Sequence, residues 1–273
     1  MCIMGDAHRG SDRIAAGGNC YRMRSERWIC AGLVAVAVLS STPDVTAGWK
    51  PDVARAIKYS ERRTGSVTFA VVGPAGRLYR HRARTKVPAA SVIKVMFIAA
   101  YLRRKSVRDR RLRHSDKDLL RPMIRRSDND TATVIANRLG PKPLRRLARR
   151  AGMKDFSYTR PWGLSTISAR DQARFMSRYE RYIPKRHEKY ARYLLSHIIK
   201  RQRWGVAEVT PEGWRLFFKS GWGTGTGRVG HQVAWLERGG RRVALAITTE
   251  HSPSHKYSKR TLRGVAARLL RGL

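Results

Sequence analysis

The chain has 273 residues, of which 42% are hydrophobic and 28% are charged. This length and balance suit one large domain or two interleaved ones with an ordinary core, and they exclude a disordered chain. The formal net charge of +39 attracts polyanions of any kind. The basic residues are spread over many segments without a nucleic-acid-binding motif, so we expect no nucleic acid partner and interpret most of them as solvated helix surface.

The N-terminal region is typical of an export signal. Three arginines between positions 22 and 27 precede an apolar run at 29–39, and small residues follow before Gly48. Because the run is too short for a comfortable membrane span, residues 1–47 are predicted to be a cleaved signal peptide, with a retained anchor as the alternative. For an exported protein, whether extracellular or held at the envelope, the available polyanion is an anionic cell envelope.

The sequence offers no thiolate site after the predicted cleavage point. All three cysteines, at positions 2, 20 and 30, precede it, so the exported part would have no disulfide. His251 and His255 are four residues apart, but Pro253 between them favours solvated loop histidines. We therefore expect no metal and no cofactor.

The first elements after residue 48 are a helix and a β-hairpin. Residues 50–63 carry apolar side chains at helical spacing, with Pro51 in the first turn. Segments 66–73 and 77–83 are separated by the turn Pro-Ala-Gly and predict two paired strands.

An apolar run at 89–98 then places Lys94 three positions after Ser91. Residues i and i+3 lie on one face of a helix, so the hydroxyl and the amine would point into the same pocket. A lysine kept from water has a lowered pKa and can act as a base toward a serine. The alternative is that Lys94 packs its aliphatic stem and leaves its ammonium in water.

The pattern stays helical after Ser91, and strand signals return near the C-terminus. Segments 215–221, 227–238 and 241–250 are rich in β-branched and aromatic residues, and a closing amphipathic helix follows at 258–270. Strands at both ends with helices between them indicate that the first and last segments share one sheet.

These elements predict an α/β (α+β) fold with an antiparallel five-stranded sheet flanked by terminal helices. Residues 48–90 and 206–273 would form a discontinuous α/β sheet subdomain, and residues 91–205 an inserted all-helical subdomain. A functional site is expected in the cleft between the two parts.

Two further motifs accompany Ser91 and Lys94. Ser127 to Asn129 form Ser-Asp-Asn between two helical segments, and Lys219 to Gly221 form Lys-Ser-Gly at a strand end. Each is weak alone, because the first is also a helix-capping signal and the second an ordinary turn. Together they occur once each, in the order and setting of class A β-lactamases and penicillin-binding proteins. From about residue 53 onward, the chain resembles a class A β-lactamase-type serine hydrolase.

The resemblance implies a role for each motif residue. Ser91 would be the nucleophile that forms an acyl-enzyme with a β-lactam or a D-alanyl peptide. Lys94 would take or relay its proton. Ser127 would pass a proton to the departing nitrogen, helped by the positive field of Lys219. Asn129 would hydrogen-bond the side-chain amide of the substrate.

The resemblance also implies a set of substrate-binding groups at the strand end. The backbone N–H groups of Ser91 and Trp222 would form an oxyanion hole. The hydroxyl of Ser220 and the guanidinium of Arg228 would receive the substrate carboxylate, and Gly221 belongs to the same motif. For Arg228, a solvated strand-end arginine is the alternative interpretation.

One departure from the family concerns deacylation. Class A enzymes hydrolyse the acyl-enzyme with a loop glutamate acting through a water, yet residues 156–170 contain no acidic residue. Asp155 and Asp171 flank this stretch, and Asp171 fits better as the third residue of a helix capped by Ser168. Loss of a general base slows a step by roughly 10²- to 10⁴-fold, which predicts ready acylation and slow release.

Three functions follow as alternatives. The first is a class A-like β-lactamase, and the second is a penicillin-binding D,D-peptidase acting on peptidoglycan. The third is a non-catalytic envelope-binding module, against which the intact motif residues argue. We expect a small-molecule β-lactam or D-alanyl peptide as substrate, and a monomeric protein.

Overall fold

The computed structural model describes residues 48–223 and 225–273. Within them, the predicted five-stranded antiparallel sheet is confirmed, with the strand order β2-β1-β7-β6-β5. The predicted signal peptide and the three cysteines lie outside the described residues. The strands are β1 Ser66–Val72, β2 Leu78–His81, β3 Val87–Pro88, β4 Thr166–Ile167, β5 Arg215–Gly223, β6 Val229–Arg238 and β7 Arg241–Glu250.

Helices occupy the stretch between the hairpin and β5 and both ends of the described chain. In chain order they are α1 Val53–Glu61, α2 Lys94–Leu102, α3 Lys105–Arg108, α4 His114–Arg125, α5 Asn129–Leu139, α6 Pro141–Ala151, α7 Ala169–Ser177, α8 Lys185–Ser196 and α9 His255–Leu269. Short 3-10 helices include Ala90–Ile93 before α2, Trp162–Leu164 before β4 and Tyr179–Tyr182 after α7. No helix in the described ranges is long and apolar enough to cross a membrane.

The hairpin and the C-terminal strands form one sheet because β1 lies between β2 and β7. Ser66 pairs with Glu250, and Val72 pairs with Ala244. Most residues of β6 and β7 are buried, as expected for strands covered on both faces. Helix α7 packs on β1 and β7, whereas α9 packs on β6 and β7 and contacts α1. The prediction of terminal helices against the sheet is thereby confirmed.

Helix α2 is the central helix of the core. All nine of its residues are buried, so it has no solvent face, which is typical of a helix surrounded by others. It contacts α4, α5 and α6. The residues at its N-terminal end are therefore held by packing from every side.

The segment 91–205 is not all-helical, in contrast to the sequence prediction. Strand β4 lies inside it and pairs with β3, so that Val87 lies opposite Ile167. Such two-residue pairings carry no periodic signal and depend on contacts between distant segments. The rest of the division into two subdomains stays a prediction.

A cluster of two arginines and two glutamates joins α8 to the sheet. Arg242 Nη1 lies 2.5 Å from Glu180 Oε2, and Arg192 Nη1 donates to Glu237 Oε1 at 3.0 Å. Burial raises the pKa of both glutamates, but hydrogen bonds from the two arginines outweigh it and hold both pKa values below 4.5. In this part of the molecule, partly buried arginines are matched by carboxylates.

Candidate active site

Ser91 lies in the 3-10 helix Ala90–Ile93, directly before the first residue of α2. The sequence predicted Ser91 in the first turn of an α-helix. The turn is instead a 3-10 helix, which supports the prediction that Ser91 and Lys94 lie on the same side. With 3.0 residues per turn, positions i and i+3 are eclipsed, which brings Ser91 and Lys94 to one side. Ala90 adopts a φ of 43°, a strained conformation for a residue with a side chain, at the entry to this turn.

Lys94 is fully buried, so the alternative of a solvated ammonium is wrong. Its Nζ donates to the carbonyl oxygens of Ser127 and Asp128, at 2.7 and 3.1 Å, and to Asn129 Oδ1 at 2.8 Å. Three acceptors account for the three N–H bonds of an ammonium. A neutral amine has one donor fewer and gains a lone pair that can accept a proton.

The Ser-Asp-Asn loop turns sharply to present these acceptors. Ser127 has a left-handed φ of 60°, and Asp128 caps α5 by accepting from the Thr131 backbone N–H at 2.8 Å. The capping predicted for this motif is therefore present together with the contacts to Lys94. The strained turn points two consecutive carbonyls toward one amine.

Lys219, in β5, reaches the same loop from the sheet. It is fully buried and donates to Ser127 Oγ at 2.9 Å and to the Ser220 carbonyl at 2.6 Å. Lys94 Nζ lies 3.4 Å from the same Ser127 hydroxyl. Three motifs that are far apart in sequence thus meet at one hydroxyl oxygen.

Burial changes the acidity of both lysines. It lowers the pKa of Lys94 from 10.5 to about 7, although the charge of Asp128 acts in the opposite direction. Burial, followed by the charge of Lys94, also lowers the pKa of Lys219 well below 10.5. The site therefore holds an amine that can exchange protons near neutral pH, as a general base requires.

Gly221 brings the end of β5 against Ser91. A Cβ at this glycine would lie 2.8 Å from the backbone nitrogens of Ser91 and Val92, closer than any side chain tolerates. The neighbouring Ser220 hydroxyl accepts from Gln232 Nε2 at 2.9 Å. The next residue, Trp222, is 47% exposed. The backbone of the strand end thus faces the serine directly.

Arg228 lies apart from this hydrogen-bond network. It is exposed, has a φ of 51°, and lines a cavity of about 320 Å³ together with Trp222 and His255. Among the described residues, its side chain forms no hydrogen bond with the two lysines or with Ser127. Its assignment to the substrate carboxylate stays a prediction.

In the loop between α6 and α7, the indole of Trp162 lies near Lys94. This is the loop in which class A enzymes carry the glutamate of deacylation. Lys94 Nζ lies 4.9 Å from the centroid of the Trp162 ring, whose Nε1 donates to Thr133 Oγ1 at 3.1 Å. The ring also packs edge-on against Phe97. Sequence reasoning missed Trp162, because nothing in the pattern of a loop shows which side chain turns inward.

The two acidic residues that flank this loop stabilise its base. Asp155 N donates to Asp171 Oδ2 at 2.7 Å, and Ser168 Oγ donates to Asp155 Oδ2 at 3.0 Å. Ser168 also caps α7 by accepting from Asp171 N at 3.3 Å, as predicted. Both carboxylates are thus occupied within the loop.

His231 is a second residue that the sequence analysis missed. Its Nε2 donates to the Pro88 carbonyl at 2.8 Å, and its Nδ1 accepts from Thr249 N at 3.3 Å. Burial lowers its pKa to about 4, so the ring is neutral at pH 7. It fastens the segment before Ser91 to the sheet. Within the described ranges, no group of three or more His, Cys, Asp or Glu is arranged to hold a metal ion.

Comparison with known families agrees with this arrangement. Residues 107–273, more than half of the chain, match the sequence model of the β-lactamase enzyme family. The chain belongs to this family. The matched region contains Ser127, Asn129 and Lys219 and begins after Ser91 and Lys94. Among curated protein sequences, none matches this β-lactamase-family chain.

Solved structures share the fold at low sequence identity. The β-lactamase from Sphaerobacter thermophilus is 20% identical with a TM-score of 0.70, over 81% of this chain and 96% of that one. An ancestral class A β-lactamase is 18% identical with a TM-score of 0.71, over 81% and 100%. The class A β-lactamase from Mycobacterium abscessus is 19% identical with a TM-score of 0.69, over 81% and 98%. The fold predicted from the sequence is confirmed.

Proposed function

We propose that this protein is an exported active-site-serine hydrolase of the class A β-lactamase type, in which Ser91 forms an acyl-enzyme with β-lactams. One observation carries the proposal: two fully buried lysines, Lys94 and Lys219, meet at the hydroxyl of Ser127, and the strand that carries Lys219 approaches the backbone of Ser91 at Gly221. Burying a lysine is costly to the fold, and buried groups with shifted pKa values cluster at functional sites, so two such lysines at one hydroxyl favour a catalytic role. The export part rests on the sequence of residues 1–47 alone.

Acylation follows from the position of the amines. Ser91 Oγ attacks the lactam carbonyl carbon while its proton passes to the neutral amine of Lys94. The tetrahedral oxyanion is received by the backbone N–H groups of Ser91 and Trp222, which the close approach at Gly221 supports. When the C–N bond breaks, the proton moves from Lys94 through the Ser127 hydroxyl to the departing nitrogen.

Substrate binding uses side chains that contact the motif residues of the site. Because Asn129 Oδ1 is occupied by Lys94, its amide nitrogen is available to donate to a carbonyl of the substrate. The carboxylate of the substrate would lie near the hydroxyl of Ser220 and the positive charge of Lys219. Arg228 is proposed as a second cation for this carboxylate.

Deacylation is expected to be slow. Residues 156–170 contain no acidic residue, Trp162 lies over Lys94, and the carboxylates of Asp155 and Asp171 are held within the loop base. Without a placed base, attack of water on the ester loses roughly 10²- to 10⁴-fold.

The same observation favours a second candidate, a penicillin-binding D,D-peptidase. Such an enzyme forms its acyl-enzyme with a D-alanyl peptide of peptidoglycan and does not need fast hydrolysis of a β-lactam ester. The two candidates share Ser91, Lys94, Ser127 and Lys219, and they differ in the substrate that turns over.

Intact-mass measurement over time after addition of a labelled penicillin tests the proposal. We expect a stoichiometric adduct that forms quickly and decays slowly, and that is absent from Ser91→Ala. Ser60→Ala is the matched control, since Ser60 is also buried but bonds only to the Ala56 carbonyl. Absence of any adduct on the native protein would refute the serine hydrolase. Release of D-alanine from a D-alanyl-D-alanine peptide would select the peptidase, and fast adduct turnover would show that another group activates water.

A further inference from the structure

A second site lies among the helices, on residues that the sequence analysis treated as a solvated surface. The C-terminal end of α2, helix α3 and one side of α6 enclose a cavity of about 370 Å³. Six of the residues that line this basic cavity are cations: Arg103, Arg104, Lys105, Arg108, Arg146 and Arg150. The other lining residues are alanine, proline and leucine, and none is acidic.

Three partly buried arginines outside the basic cavity are paired with carboxylates. Arg192 and Arg242 are paired with two glutamates, and Arg110 is paired with Asp116 at 2.6 Å. In the basic cavity, Arg108 alone has such a partner among the described residues, the exposed Asp109. The remaining five cations line the same cavity without a carboxylate partner among the described residues, and Lys105, Arg146 and Arg150 are exposed.

The crowding of charge is strongest at Arg103. Its side chain is half-buried, and burial together with the charges of Arg150, Arg108 and Arg146 lowers its pKa. Arginine nevertheless stays protonated in proteins. Like charges that line one cavity repel each other, and a bound anion would relieve that repulsion.

We propose that the basic cavity binds a phosphate-bearing anion, either a free oligophosphate or the phosphate of an anionic lipid headgroup. The planar forks of Arg103, Arg146 and Arg150 suit bidentate hydrogen bonding to phosphate oxygens. The volume is large enough for one or two phosphate groups and too small for a folded partner. Ala100, Pro143 and Leu147 add apolar surface to the lining of the cavity.

Isothermal titration calorimetry with inorganic pyrophosphate at low salt tests the proposal. The test variant is Arg146→Gln with Arg150→Gln. The matched control is Arg80→Gln with Arg263→Gln, which removes the same charge from two exposed positions far from the cavity in sequence. All proteins should retain the rate of labelling by penicillin, which shows that the fold and the active site are intact. We expect the test variant to lose at least about tenfold in affinity and the control to lose less than threefold.

A second arm distinguishes the source of the phosphate. Co-sedimentation is measured with vesicles of phosphatidylglycerol and, for comparison, of phosphatidylcholine. Binding to pyrophosphate assigns a free anion, whereas binding to phosphatidylglycerol vesicles alone assigns a headgroup, provided that the test variant is selectively weakened. If the native protein binds neither, or if the two double variants weaken equally, the attraction is a property of the overall charge and the proposed site does not exist.

Discussion

The amine of Lys94 should give the acylation step a defined pH dependence. Its pKa is about 7, because burial removes water from the ammonium. Only the neutral amine can accept the proton of Ser91, so the acylation rate is highest above the pKa and falls below it. The neutral fraction is about 1% at pH 5, about half at pH 7 and roughly 90% at pH 8. A lysine with an ordinary pKa of 10.4 would be only about 0.1% neutral at pH 7.4.

The assay is the second-order rate of labelling by a fluorescent penicillin between pH 5 and pH 9. We expect a rise of about tenfold per pH unit from pH 5 to near pH 7, followed by a plateau. Lys94→Met should lose labelling at every pH. Lys185→Met, at a side chain that is 93% exposed, should retain the native profile and serves as the control.

Two results would refute this reasoning. A rate that is constant from pH 5 to pH 9 would mean that Lys94 does not change its protonation state in this range. A rate that still rises tenfold per unit above pH 8 would mean that the amine keeps its ordinary pKa despite burial. The first result would point to a different group as the acceptor of the serine proton, and the second would overturn the lowered pKa of Lys94.

Three further predictions concern packing and stability, each measured by urea denaturation. Gly221→Ala places a carbon 2.8 Å from the backbone of Ser91, so it should destabilise the fold by about 1–3 kcal/mol and slow acylation. Gly225→Ala is the control, because nothing lies within 4 Å of the added carbon, and it should change neither stability nor acylation. Equal effects of the two would contradict the close contact. Glu237→Gln should lower the free energy of unfolding by about 2 kcal/mol at pH 7. Because the folded pKa of this carboxyl lies below 4.5, the difference in stability from the native protein should shrink as the pH falls below that value. A difference in stability that is independent of pH would rule out the charge pairing. Ser168→Ala removes the cap of α7 and should cost about 1 kcal/mol, and a neutral result would show that the cap is replaced by another group.

The sequence was sufficient to predict how the motifs meet. The spacing of Ser91 and Lys94 depends only on helix geometry, and the capping of α5 by Asp128 is a local property of the chain. The order of strands and helices then fixed the sheet that carries Lys219. Local periodicity and chain order were therefore enough for the sheet and for the spacing of Ser91 and Lys94, whereas the expectation that Lys94, Ser127 and Lys219 meet came from the resemblance to class A β-lactamases.

Features that depend on distant packing were beyond the sequence. Trp162 lies in a loop without periodicity, and its approach to Lys94 is decided by contacts with α2 and α5. The pairing of β3 with β4 involves two residues on each side. The basic residues at 103–108 and 145–150 read as separate charged stretches, and only the packing of α2 against α6 shows that they share one cavity.

The placement of β1 between β2 and β7 has a consequence for biosynthesis. The first long strand has a free edge until the last strand, ending at Glu250, has been made and delivered. Pairing of such remote segments is slow, and the partly made chain exposes an unsatisfied strand edge meanwhile. Because Lys219 also comes from this late part of the chain, the contact of Lys94, Ser127 and Lys219 forms only when synthesis is nearly finished.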